Sequence, residues 1–572
     1  MSQYQTIGLS SEMDGAWVNL SDAKNSIDDE TEDMPDRVRR VRFDLKELLK
    51  FYSITISPRR HERLVQFYSD ELKSLFQVRF EYLSQQHKVD FILLRNFIRR
   101  EQRQLHLDQK AQKTAGFLLP FAPLIVALCE SRQDVDEMNG DKTAGALDAI
   151  KRGICQTQAE VEAGKLHTSK TTAYKATQIL NELCGHLQEL LRFYSSYDPM
   201  FDWWATKPWQ EANAAISQYL SVIQTKLVAT RPDAEDEIIG EPIGRAGLLV
   251  ELEAEMIPYT PKELISLAEE KYKWCQEQMI AASEELGYGK DWKKALEYVK
   301  TLSVPPGQQT QLVMQLAREG TEFVQKHDLV TVPKIADETY RMFTMSAERQ
   351  KENPFFLGGP SIIVSSPTAD MPHELKKMVM RGNNTHFSRA TAFHELIPGH
   401  RLQLYMGKRH NSHRDMFETP FFVEGWAMYW ELVFWEMGNF FKSPEDRIGT
   451  LFWRMHRCAR IIFSLKFHLG EMTPQECVDL LVNWVGHERS NAEAEVRRSF
   501  TGDYSPLYQV GYMLGALQIF ELRNEVLREG RLKEKAFHDQ VLKANTMPIE
   551  LLRALVLGLE LTPDYKAKWR FY

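Results

Sequence analysis

The sequence predicts a mainly α-helical protein of two lobes, and three observations carry that expectation. Apolar residues recur at three- and four-residue spacing through long stretches, the period of one helix face. The 572 residues exceed what a single hydrophobic core supports. Only one segment, Ser361-Ile-Ile-Val-Ser-Ser366, combines a β-prone run with Gly-Gly-Pro before it, the pattern of a short β-ribbon.

Taken in order, residues 1–40 are polar and acidic, which predicts a mobile tail. A first helical lobe is expected over 41–235, where residues 51–80, 91–109 and 171–194 show the helical period. The run Arg231-Pro-Asp-Ala-Glu-Asp-Glu-Ile-Ile-Gly240 reads as the connection to a second lobe, 236–572. That lobe contains Tyr259-Thr-Pro-Lys-Glu-Leu264, a helix start with Thr260 as N-cap, Pro261 in the first turn and Glu263 three residues on. Val304-Pro-Pro-Gly307 is a turn, and helical patterns resume from Ser388 to the end.

The balance of 71 basic and 79 acidic residues gives a formal charge of -8, which gives no support for a nucleic-acid surface. Six dispersed cysteines without CxxC spacing fit a reducing compartment and free thiols. The N-terminus, Met-Ser-Gln-Tyr-Gln, lacks a basic n-region and an apolar run. The longest apolar stretch, residues 116–129, carries Pro120 and Pro123 and is shorter than the roughly 20 residues of a membrane span. These features predict a cytoplasmic protein without membrane or nucleic-acid partners; they leave its oligomeric state open.

The chemistry concentrates in Arg389-Ala-Thr-Ala-Phe-His-Glu-Leu-Ile-Pro-Gly-His400. A His-Glu pair on a helix supplies a zinc ligand and a neighbouring base for its water. In HExxH the second histidine follows one turn later on the same face. Here Pro398 takes that position and His400 comes two residues further on, where an ideal helix would turn it away. Pro398-Gly399 offers a way back by ending or distorting the helix. Downstream, Thr419-Pro420 predicts a helix start, with Glu424 and Glu431 on one face among aromatic residues. Buried carboxylates need a charge partner or a metal. Two histidines and Glu424 make three ligands with a fourth position open, the pattern of a catalytic zinc site holding one ion per chain.

His-Glu-Leu-Ile-Pro-Gly-His400 followed by Glu424-Gly-Trp-Ala-Met-Tyr-Trp-Glu431 resembles the domain-of-unknown-function 885 family of bacterial and fungal proteins, regarded as zinc metallopeptidases of gluzincin-like type. The resemblance runs from about residue 40 to the end, and every fixed position of both motifs is present. It implies a two-lobed gluzincin-like fold with a deep central cleft, with His394, His400 and Glu424 as metal ligands. Glu395 would be the general base, and Glu431 would orient a ligand. The chain departs from the family pattern at Leu507 and Tyr508, where Gly and Gln are usual, and at Ser464, where an acid is usual.

Tyr512 is a candidate to stabilise an oxyanion, or a core tyrosine. Arg460, on a helical face with Arg454 and Arg457, could hold a substrate carboxylate. His468 and His487 could contact substrate or serve only the core. Ile363 lies in the strand on which an extended peptide could add by backbone hydrogen bonds. No GxSxG elbow, phosphate loop or dinucleotide fingerprint competes. The expectation is a metallopeptidase cleaving small peptides, with Glu395 as base. A hydrolase of a small amide or an amino-acid-derived metabolite is the alternative, and a non-catalytic binding protein of the same fold is a third.

Overall fold

A computed structural model describes residues 32–228, 238–350, 355–500 and 504–572. Most of the expected acidic tail, and the connection near 235, lie outside these residues. The chain is 72% helix and 2% strand, the mainly helical class that the apolar period predicted. Residues 34–40, read from the sequence as the end of the tail, instead open a helix, Met34–Phe51, capped by the Asp33 side chain. Among the described residues no single helix is long and apolar enough to cross a membrane.

Apolar faces collect into two main cores. One holds residues 34–98 together with residues 248–571, and the other holds Ile54 with residues 115–228. The predicted capping box at Thr260 and Glu263 starts the helix Pro261–Glu285. Four of the cysteines are buried, Cys184 is half-buried and Cys155 exposed, all as free thiols.

The strand is shorter than the β-prone run. Ser361–Val364 (β2) pairs in parallel with Arg341–Thr344 (β1), in the register Arg341–Ser361 to Thr344–Val364. The buried Ser365 then turns its hydroxyl to Gln350 Oε1 at 2.9 Å. On its other side, Ile363 exchanges both backbone hydrogen bonds with Leu357, at 2.8 and 3.1 Å. That corrects the expected role of Ile363, because its N–H and C=O are already spent and cannot receive a peptide strand.

Five helices of the larger core position the site. Pro420–Met437 packs along Tyr508–Arg528, Pro444–His468 packs along Pro261–Glu285, and both groups enclose Thr385–Glu395. The first contact depends on small residues. A Cβ at Gly515 would collide with the Phe421 carbonyl oxygen, and one at Gly425 would lie 2.8 Å from the Gly515 Cα. The two backbones therefore approach closely enough to bring Tyr508 and Tyr512 onto Glu424 and His394.

Candidate metal centre

The break expected at Pro398-Gly399 is present. The first helix ends at Glu395, and a new one runs from His400 to Arg409. Gly399 lies directly on the His394 carbonyl, where any Cβ would clash. The buried Trp426 indole donates to the Pro398 carbonyl at 2.9 Å, fastening the turn to the helix that carries Glu424. His400 thus returns to His394, with ring centres 4.9 Å apart and nearly perpendicular.

Thr419 caps the third strip of the site by accepting from the Phe421 N–H at 3.1 Å, and Pro420 follows in the first turn. One turn later Glu424 presents Oε2 to both rings, 3.1 Å from His400 Nε2 and 3.6 Å from His394 Nε2. The three ligand atoms lie within 4.8 Å of one another, and all three residues are buried. Glu431, two turns on, accepts from His394 Nδ1 at 2.8 Å. That bond leaves Nε2 of His394 free for a cation. Two imidazoles and one carboxylate are the donor set of a catalytic zinc site, so the residues fit that ion.

Electrostatics follow from burial and neighbours. Burial works against ionisation of Glu424, but the facing His400 and His394 outweigh it and hold its carboxyl well below the usual range. For Glu431, too, burial opposes the charge, and the His394 hydrogen bond and Arg457 overcome it. For Glu395 burial outweighs the nearby His394 and His400 and pushes its carboxyl up. The loop before β2 closes over it, and Gly358 sits where a side chain would strike Glu395 Oε2.

His394, Glu395, His400 and Glu424 line one cavity of about 310 Å³ with Phe355, Trp453, Tyr512, Arg457, Arg460 and Arg498. Tyr512 stacks parallel to His394, with ring centres 6.3 Å apart. Tyr508, which the sequence marked only as a departure from the family pattern, donates its hydroxyl to Glu424 Oε1. Its spacing of one turn from Tyr512 on the same helix was the available signal. The structure does not bring His468 or His487 into the cavity. Both are buried: His487 bonds to His456 at 2.9 Å, and His468 packs beside Phe467 and Phe500. Neither is a substrate contact in this arrangement. Ile363 is also absent from the cavity wall, whereas residues 355–359 supply it.

Over residues 53–556 the sequence matches a family described as "Bacterial protein of unknown function (DUF885)". The chain belongs to this family. Among solved structures, a "putative lipoprotein of unknown function from Shewanella oneidensis" is similar with a TM-score of 0.67 and 18% identity, covering 92% of this chain and all of the other. A "putative lipoprotein from Colwellia psychrerythraea" is similar with a TM-score of 0.56 and 15% identity, covering 92% of this chain and 99% of the other. No curated protein matches. These neighbours overturn the cytoplasmic expectation for this DUF885 chain. Composition and free thiols do not by themselves decide the compartment.

Proposed function

We propose that this DUF885 protein is a zinc-dependent metallohydrolase acting on amide bonds of small peptides. The carrying observation is the convergence of His394 Nε2, His400 Nε2 and Glu424 Oε2 beside the buried Glu395 in one cavity. The gluzincin-like, two-lobed description of the fold belongs to the same proposal and rests on the resemblance of the two motifs.

A zinc ion held by those three residues would supply Lewis-acid chemistry, lowering the pKa of water toward about 7 and polarising a carbonyl. The chain's own groups do the rest. Glu395 takes a proton from the attacking water and delivers it to the leaving nitrogen, as the C–O bond forms and the C–N bond breaks. Burial, which favours the protonated carboxyl, makes Glu395 a stronger base than an exposed carboxylate. Glu431 fixes the His394 ring, and Tyr512 is placed to donate to the oxygen that gains charge. The cavity is small enough that hydrolysis of a small amide remains the second reading, and a peptide library set beside small amides separates the two.

Metal analysis of chelator-free protein is expected to find about one zinc per chain, lost in His400→Ala. Glu395→Gln should retain the metal while turnover falls roughly a hundred- to ten-thousand-fold. Full turnover in metal-loaded Glu395→Gln would overturn the mechanism.

A further inference from the structure

Beyond the metal ligands, the cavity has a wall of arginines. Arg457 and Arg460 project from Pro444–His468, and Arg498 comes from the helix Arg489–Phe500. They are 4%, 2% and 9% exposed, which makes the pairing of their charges decisive. Arg460 Nε donates to Glu495 at 2.6 Å, and Arg498 Nε lies 3.2 Å from the same carboxylate. Among the described residues Arg457 reaches only the Glu431 carboxylate, at 3.6 Å, whose oxygen already serves His394. Three guanidiniums therefore share two carboxylates. Glu395, Glu418 and Glu424, which also line the cavity, form no ion pair with them.

Among the described residues Arg460 Nη1 and Arg457 Nε, like Arg498 Nε, have no hydrogen-bond partner. A buried guanidinium with unused donors is costly, and its planar fork matches a carboxylate. The Tyr512 ring orients both groups, with Arg460 Cζ 4.3 Å and Arg457 Cζ 4.7 Å from its centre. The same ring stacks on His394 at 6.3 Å. An extended peptide covers roughly 3.3–3.6 Å per residue, so one to three residues bridge from the arginines to the metal ligands.

We propose that Arg457, Arg460 and Arg498 receive the free C-terminal carboxylate of the substrate, so that the enzyme trims peptides from that end. This rests on the hydrolase reading. The reaction is the hydrolysis already described, with one to three residues leaving as the amine product.

The test is a randomised peptide library made as free acids and as C-terminal amides, incubated with the zinc-loaded protein and read by mass spectrometry. Acids should lose one to three C-terminal residues, and the amides should react at least tenfold more slowly. In parallel, calorimetry on Glu395→Gln measures N-acetyl dipeptides as acids and amides, and only the acids should bind. Arg460→Lys keeps the charge but loses the fork; it should raise KM for acids at least tenfold with little change in kcat. Equal cleavage of acids and amides, or internal cuts regardless of length, would overturn the carboxylate site and leave the hydrolase standing. Acid-selective binding without any peptide cleavage would keep the arginine site and remove the peptidase. Binding of neither ligand form would overturn the proposal even if Arg460→Lys fails to fold.

Discussion

Tyr508 holds one oxygen of Glu424 while the other faces the two histidines, so its hydroxyl decides how that carboxylate is presented. Tyr508→Phe removes only the donor. Groups that orient metal ligands commonly contribute 10- to 100-fold in affinity. We expect Tyr508→Phe to weaken zinc by roughly that factor in competition with a chelating dye. Unchanged affinity would reduce Tyr508 to packing. Gly358→Ala should act on Glu395, the proposed base, instead: its methyl group would displace that carboxylate, cutting turnover while zinc is retained. At this scale the legible residues were those within two short runs, His394 to His400 and Glu424 to Glu431. Their spacing encodes their geometry. Gly358 and Arg498 reach the site from distant elements, and no local periodicity marks them. Tyr508 was marked as a replacement for Gln, and the signal for its role was its place one turn before Tyr512; both Gln and Tyr can donate to a carboxylate.

Among the elements, the Pro420–Met437 and Tyr508–Arg528 pair makes the site possible. Gly515→Ala would push a methyl group into the Phe421 carbonyl and separate the two backbones. Overpacking of this kind costs about 1–3 kcal/mol. A lowered Tm is expected, together with weaker zinc binding as Tyr508 retreats from Glu424. A variant with wild-type Tm and affinity would show that the contact yields easily. The helices themselves were readable because caps and apolar spacing are local, as at Thr260 and Thr419. β1 was not, since Arg341-Met-Phe-Thr344 is four residues long and mostly exposed. Its pairing with β2 is a tertiary event. The same limit hid the Leu357 bridge that closes the edge at Ile363.

For the molecule as a whole, buried histidines set the response to acid. Burial pushes His468 down to about 4, and His487 and His538 down to about 3. His538 is fully enclosed, donating Nδ1–H to the Leu329 carbonyl and accepting the Tyr429 hydroxyl at Nε2. Between those values and the ordinary histidine value near 6.5, the unfolded chain binds more protons than the folded one. Stability from these groups is therefore complete above about pH 6.5 and is lost as the pH falls toward 4 and then 3. Across its window His468 is worth on the order of 3 kcal/mol, and His487 and His538 on the order of 5 kcal/mol each. Denaturant midpoints should drop steadily from pH 7 to pH 4. A His538→Gln variant, less stable at neutral pH, should show a shallower drop. An identical slope would assign acid sensitivity elsewhere.

The interruption between Glu395 and His400 has a consequence for motion. In an unbroken helix, two ligands one turn apart are spaced by the helix's own hydrogen bonds, with or without metal. Here the rings stand on opposite sides of a joint, braced by the Gly399 N–H on the Phe393 carbonyl at 3.0 Å and by the Trp426 indole on the Pro398 carbonyl. A cation gripped by both rings would act as a strut across that joint. Amide hydrogen exchange over residues 396–403 should then slow sharply when zinc is added, while the distant helices at 115–228 exchange at the same rate.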